Sequence, residues 1–303
     1  MSIFQPFDPD EEPRRGRLRR QFRQVSVRPV PVRAVLPSLV TLLALCAGLT
    51  SIRMSIEMRY DWAIAAVAIA AALDGIDGQV ARFLKSTSRF GAELDSLADF
   101  VNFGVAPAIL LFTWALDEAG SFGWIVALIF AISAALRLAR FNVALSGPTR
   151  PEWQAWYFVG VPAPAGAMIV FLPVYLELIG TPHGFLTAPV VVVYTLAVAL
   201  LMVSRFPTWS SKLVGRRIRR DLVFPLFVLV VLVVALLLSF PWQTMAVLSI
   251  VYLASLPMSW RAYHRRLAAD RMSAKEGSDD DDEAGPPSEP DEPSAPDESS
   301  PPR

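Results

Sequence analysis

The sequence predicts an all-α, polytopic membrane protein of about eight transmembrane helices, with a polar site facing the cytoplasm and a disordered C-terminal tail. Three observations carry that reading. Hydrophobic residues make up 53% of the 303, and mean hydropathy is +0.42, a balance that suits a chain immersed in lipid rather than a soluble domain. The apolar residues gather into runs of about 20, the length that crosses a hydrocarbon core as a helix. Positive charge also rises and falls from one connection to the next, as it does when helices cross a membrane in alternating directions.

Residues 1–33 form a basic N-terminal segment. They carry Arg14, Arg15, Arg17, Arg19, Arg20, Arg23, Arg28 and Arg33 with no apolar core beside them, so the segment does not read as a cleaved signal peptide. It can meet the headgroups of anionic membrane lipids at about 1 kcal/mol per basic residue, or act only to set topology. The membrane domain follows over 34–260. Its candidate helices lie at 34–52, 62–82, 97–116, 122–142, 157–178, 186–204, 222–240 and 242–259, the last two joined by a tight hairpin at Phe240–Pro241.

Charge orients these spans. The N-terminal segment, the loop with Arg82, Lys85 and Arg89, the group Arg137, Arg140 and Arg150, the cluster over 205–220 and the stretch Arg261–Lys275 all fall on one side. The opposite connections offset Arg53 and Arg59 with Glu57 and Asp61, or carry no Lys or Arg at all. An integral inner-membrane protein with both termini in the cytoplasm follows.

Residues 261–303 turn from basic to acidic and Pro-rich. Eleven of the 28 acids lie after Lys275, leaving 27 basic and 17 acidic residues before them, so the zero net charge conceals a basic body and an acidic tail. The tail has too few apolar side chains to offset the entropy of ordering. Cys46 is the only cysteine, which excludes an intramolecular disulfide or a cysteine metal site. His183 and His264 lie far along the chain from the acids described next. No Gly-rich loop follows a strand, and the arginine clusters alternate with spans, so neither a Rossmann domain nor nucleic-acid binding is indicated.

Across this apolar background, the stretch LDGIDGQVARFLKSTSRFGAELDSLADFVNFGVAP, residues 73–107, places four aspartates at the ends of two spans. An unpaired carboxylate there costs several kcal/mol. If both flanks are helical, Asp74, Asp77, Gly78, Ala81 and Arg82 share one face, and Gly91, Asp95, Asp99, Asn102 and Ala106 share another. A polar turn around Lys85–Ser88 would bring the faces together. Helix-end salt bridges would account for a single such acid. Four in phase, with small residues beside them, suit a hard-oxygen site for Mg²⁺ or Mn²⁺, with room for two ions. A cation-coupled transporter also uses intramembrane acids, but tends to place them near the bilayer midplane on broken helices; here they cluster at helix ends on one side.

The spacing D-x2-D-G-x2-A-R-x8-G-x3-D-x3-D, at Asp74, Asp77, Gly78, Ala81, Arg82, Gly91, Asp95 and Asp99, resembles the signature of the CDP-alcohol phosphatidyltransferases. Three further stretches resemble the integral-membrane phosphatidylserine synthases of that family: ADFVNFGVAPA at 98–108, RLARFNV at 137–143 and YFVGVPAPAGA at 157–167. A weaker echo is LPSLVT at 36–41, where Ser38 stands in place of the expected Asn. The resemblance implies transfer of a phosphatidyl group from CDP-diacylglycerol to L-serine, giving phosphatidylserine and CMP. It implies Asp74, Asp77, Asp95 and Asp99 as metal ligands, with Asp99 also the catalytic base. Gly78, Ala81, Arg82, Ser88 and Gly91 would bind CDP-diacylglycerol, and Arg137, Arg140 and Asn142 would bind serine. A homodimer is implied too. A sibling enzyme acting on glycerol phosphate, inositol phosphate or choline would share all eight signature positions.

Overall fold

In the computed structural model, residues 32–84, 88–145, 157–182, 186–209 and 220–283 are described. The Arg-rich segment up to residue 31, the turn residues Lys85–Thr87, Arg150, His183, the basic stretch 210–219 and the tail beyond 283 lie outside them. The described chain is mostly helical. Its elements are α1 (Val32–Ile56), α2 (Tyr60–Phe83), α3 (Arg89–Phe100), α4 (Ala106–Trp114), α5 (Gly120–Leu145), β1 (Tyr157–Val159), α6 (Ala163–Val170), α7 (Leu172–Leu178), α8 (Ala188–Val203), β2 (Pro207–Trp209), α9 (Arg220–Ser239) and α10 (Pro241–Glu283).

Five helical stretches are long and apolar enough to cross a membrane: Leu36–Ile56, Tyr60–Val80, Phe90–Trp114, Leu116–Ala144 and Pro241–Ala268. Shorter apolar stretches occupy Ala163–Leu178, Ala188–Val203 and Val223–Ser239. These eight segments fall where the sequence placed its eight spans. Leu, Ile, Val and Phe side chains stand exposed along α1, α2, α5, α9 and α10, as expected of surfaces whose solvent is lipid. The interior is built from Ile64, Val67, Phe103, Leu110, Leu111, Phe130, Phe171 and Tyr175, each at most 1% exposed.

Three expectations need correction. The predicted third helix, 97–116, starts earlier and is not uniform. Val101–Val105 winds as a π-turn between α3 and α4, which rotates the residues beyond Asp99 out of the assumed phase. Asn102 therefore does not simply continue the acid face. It is 1% exposed, its carboxamide has no hydrogen-bond partner among the described residues, and it packs on α1 at Gly48, where a Cβ would collide with it. Gly48→Ala is expected to lower the thermal midpoint in detergent, at a cost of about 1–3 kcal/mol typical of overpacking; an unchanged midpoint would show that the contact relaxes freely.

The predicted fifth helix, 157–178, is likewise broken. Its first residues are β1, paired antiparallel with β2 in the register Tyr157↔Trp209, Phe158↔Thr208, Val159↔Pro207. Pro162, Pro164 and Pro173 remove the N–H groups a continuous helix would need, and Pro164 and Pro173 instead sit in the first turns of α6 and α7. Gly160 has φ +81°, and a side chain there would strike the carbonyls of Met202 and Ser204, so the link between β1 and α6 can lie flat against the end of α8 only as glycine. Finally, α10 runs to Glu283 rather than ending near 259, so the tail expected to be disordered from 261 is helical as far as 283.

Candidate active site

The site is assembled from residues of α1, α2, α3 and α5. The residues Asp74 and Asp77 stand one turn apart on α2, which holds its helix through Gly75 and Gly78 because flanking apolar residues pack on α1. Ser88 starts α3: its hydroxyl accepts the Gly91 N–H at 2.9 Å, an N-cap. From that fixed start Asp95 and Asp99 fall one turn apart and face α2.

One carboxylate oxygen each from Asp74, Asp95 and Asp99 lies within 4.8 Å of the others, and all three residues are half-buried. Asp74 and Asp99 are within hydrogen-bonding reach of each other. Asp77 stands beside this trio rather than in it. Only 5% exposed, it accepts the Thr41 hydroxyl at 2.7 Å and adds its charge to the field felt by Asp95 and Asp99. Among the described residues no Lys or Arg forms an ion pair with these four acids. Like charges at this spacing, partly out of water, require protons or a cation between them. Oxygen-only donors at this separation form a cluster that could hold a divalent metal ion.

Space lies where the sequence left small residues. A Cβ added at Gly75 or Gly78 would meet nothing within 4 Å, so α2 presents bare backbone to an open region beside Asp74 and Asp77. Arg82 is exposed on the last turn of the same helix, which also carries Ala81. At Gly91 a Cβ would come 3.0 Å from the Ser88 hydroxyl and 3.7 Å from that of Ser38. Ser38, which replaces the expected Asn, thus lies where the starts of α1 and α3 meet.

The three residues expected to bind serine are separated. Arg137 is 8% exposed, stacks over Phe141 with its guanidinium 5.2 Å from the ring centroid, and is close enough to Asp99 to interact electrostatically. Arg140 is exposed and donates to the Val203 carbonyl at 2.6 Å, tying α5 to the end of α8. Asn142, also exposed, donates to the Ser96 hydroxyl at 2.9 Å, tying α5 to α3. Only Arg137 is brought to the acids.

Against known families, residues 34–202 match the model described as CDP-alcohol phosphatidyltransferase, and residues 221–257 match one described as CDP-alcohol phosphatidyltransferase 2. The chain belongs to the CDP-alcohol phosphatidyltransferase family. Among curated relatives, a protein of Mycobacterium leprae (strain TN) is 39% identical over 243 residues, covering 78% of this chain and 80% of its own. One from Mycobacterium tuberculosis (strain ATCC 25618 / H37Rv) is 35% identical over 242 residues, covering 78% and 84%. One from Helicobacter pylori (strain ATCC 700392 / 26695) is 32% identical over 222 residues, covering 72% and 87%. All three carry the name CDP-diacylglycerol–serine O-phosphatidyltransferase.

The four signature aspartates stand on two successive helices, and Asp74, Asp95 and Asp99 are the three that converge. Sequence reasoning passed over Thr41 and Ser96. Thr41 lies in the LPSLVT echo on α1, and that motif was the available signal for a partner of Asp77. Nothing in the sequence pointed to Ser96, one residue after Asp95.

Proposed function

We propose that the protein transfers the phosphatidyl group of CDP-diacylglycerol to the hydroxyl of L-serine, releasing CMP. The convergence of Asp74, Asp95 and Asp99 carries this reading, and the names of the relatives select serine as the acceptor. Asp74, Asp77, Asp95 and Asp99 would hold Mg²⁺ or Mn²⁺, two ions by family resemblance. When bound, such ions neutralise the pyrophosphate oxygens, stabilise the departing phosphate and acidify the attacking hydroxyl.

The chain's own groups supply the rest. Asp99 accepts the serine hydroxyl proton as the oxygen attacks the phosphorus that bears diacylglycerol; the bond from that phosphorus to the CMP oxygen breaks, and CMP leaves. Arg82 pairs with a phosphate oxygen, and its planar fork suits that geometry. The open backbone at Gly78, with Ala81 one turn on, admits the nucleotide, and Ser88 and Gly91 close the far side. Set at helix ends, the acids would let serine and CMP exchange with water while acyl chains stay in the bilayer. In this reading the eight apolar segments cross the inner membrane, the site and both termini are cytoplasmic, and the catalytic unit, 34–260, works as a homodimer.

The test is purified protein with CDP-diacylglycerol, Mn²⁺ or Mg²⁺ and labelled serine, followed by glycerol phosphate, inositol phosphate and choline in turn. Labelled phosphatidylserine with stoichiometric CMP is expected. Product from another alcohol and none from serine would overturn the acceptor assignment.

Recognition of serine centres on Arg137. Lysine in its place keeps the positive charge but loses the planar fork. Arg137→Lys is expected to raise the serine KM at least about tenfold, roughly 1.4 kcal/mol, with little change in the KM for CDP-diacylglycerol. Arg140→Lys serves as the topological control and should leave both constants near wild type.

A further inference from the structure

Among the described residues, two buried hydrogen-bond donors, one near Asp99 and one near the first, have no partner. The first is Nε of Arg137, on α5. The second is the hydroxyl of Tyr252, on α10, which is inaccessible to solvent and lies near Thr208 without completing a hydrogen bond. The two side chains are close enough to interact electrostatically, and Arg137 interacts in the same way with Asp99. Three distant segments therefore bring a phenol and a carboxylate each within electrostatic reach of one guanidinium.

The surroundings hold Tyr252 in place. Ser259, two turns further along α10, donates to the Pro207 carbonyl at 2.8 Å and seats the helix on β2. Thr208 donates its hydroxyl proton to the Gly160 carbonyl at 2.9 Å, which locks β2 to the link between β1 and α6. Thr208 commits its proton there and keeps only its lone pairs toward Tyr252, whose hydroxyl completes no hydrogen bond among the described residues. A buried polar group left unmet is destabilising, and two near each other call for a shared partner. Both are donors, so that partner is an acceptor, and beside a guanidinium it is an anion.

We infer that Tyr252 and Arg137 together bind the carboxylate of the acceptor amino acid, which makes Tyr252 a specificity-determining residue contributed by a helix outside the 34–202 core. The inference rests on the reading of the protein as a serine phosphatidyltransferase and extends it. With the carboxylate held by Arg137 and Tyr252, the hydroxyl of serine is left free to reach Asp99. A plain alcohol offers nothing to these two donors and leaves both unmet, which is how a buried site rejects an analogue lacking one polar group.

Tyr252→Phe keeps the ring and removes only the donor. Compared with wild type in the same assay, it is expected to raise the serine KM about tenfold, the effect of losing one hydrogen bond to a charged group. The KM for CDP-diacylglycerol should not move, and the thermal midpoint should hold or rise, because the change removes an unmet buried donor. A second acceptor isolates the carboxylate: 2-amino-1,3-propanediol, which is serine with its carboxylate reduced to an alcohol. Turnover of this compound should be the same in wild type and Tyr252→Phe. An unchanged serine KM in the variant would overturn the inference. So would equal losses with both acceptors together with a lowered midpoint, which would make Tyr252 a packing residue. A wild-type protein that forms no phosphatidylserine would overturn the underlying function instead, so the two failures are distinguishable.

Discussion

Asp74→Ala and Asp95→Ala are each expected to reduce phosphatidyl transfer by at least about a thousandfold, because the charge stabilisation supplied by a bound divalent ion is worth several kcal/mol. Both carboxylates belong to the group whose oxygens lie within 4.8 Å of one another, so removing either leaves too few donors for a hard cation. EDTA should reproduce the loss in the wild type, and added Mg²⁺ or Mn²⁺ should reverse it. Asp77→Ala should follow the same course, since Asp77 contributes charge beside the trio and is held there by Thr41. A readout independent of turnover is thermal stability in chelator. Without an ion the wild type must keep like charges together in a partly buried site, so Asp74→Ala should melt higher than the wild type in EDTA and gain less from added metal. Full activity of the wild type in chelator would remove the metal assignment.

Asp99→Asn should lower turnover by about 10²–10⁴-fold, the usual contribution of a positioned proton acceptor, while binding of CDP-diacylglycerol survives. The substitution is nearly isosteric and removes one of several negative charges, so the helix and its π-turn should stand. Equilibrium binding of the nucleotide lipid, measured beside the rate, separates two roles. A fall in rate alone assigns Asp99 as the base; a parallel fall in binding makes it chiefly a metal ligand.

The acid site was legible because its information is local. Asp74 and Asp77, and then Asp95 and Asp99, are spaced by one helical turn on successive helices, and helical periodicity alone places each pair on a face. The glycines between them were legible for the same reason, and the open space beside Gly78 agrees with it. The proposed serine pocket was less legible. Arg137, Arg140 and Asn142 are equivalent in the sequence, all polar and all within six residues at one helix end. Only packing separates them, burying Arg137 toward Asp99 and committing Arg140 to Val203 and Asn142 to Ser96.

By itself the sequence determined the lipid-immersed helical class, the number of apolar segments and the pairing of the aspartates, all of which follow from composition or from spacing within a few turns. The tertiary structure decided what depends on residues far apart in the chain. It seats Thr41 on Asp77, packs Asn102 over Gly48 at the π-turn, joins β1 to β2 across about 50 residues, and carries Tyr252 from the last helix to Arg137. Periodicity reports which way a side chain faces on its own helix. It carries no information about which helix stands opposite, and that is set by the packing of all the segments together.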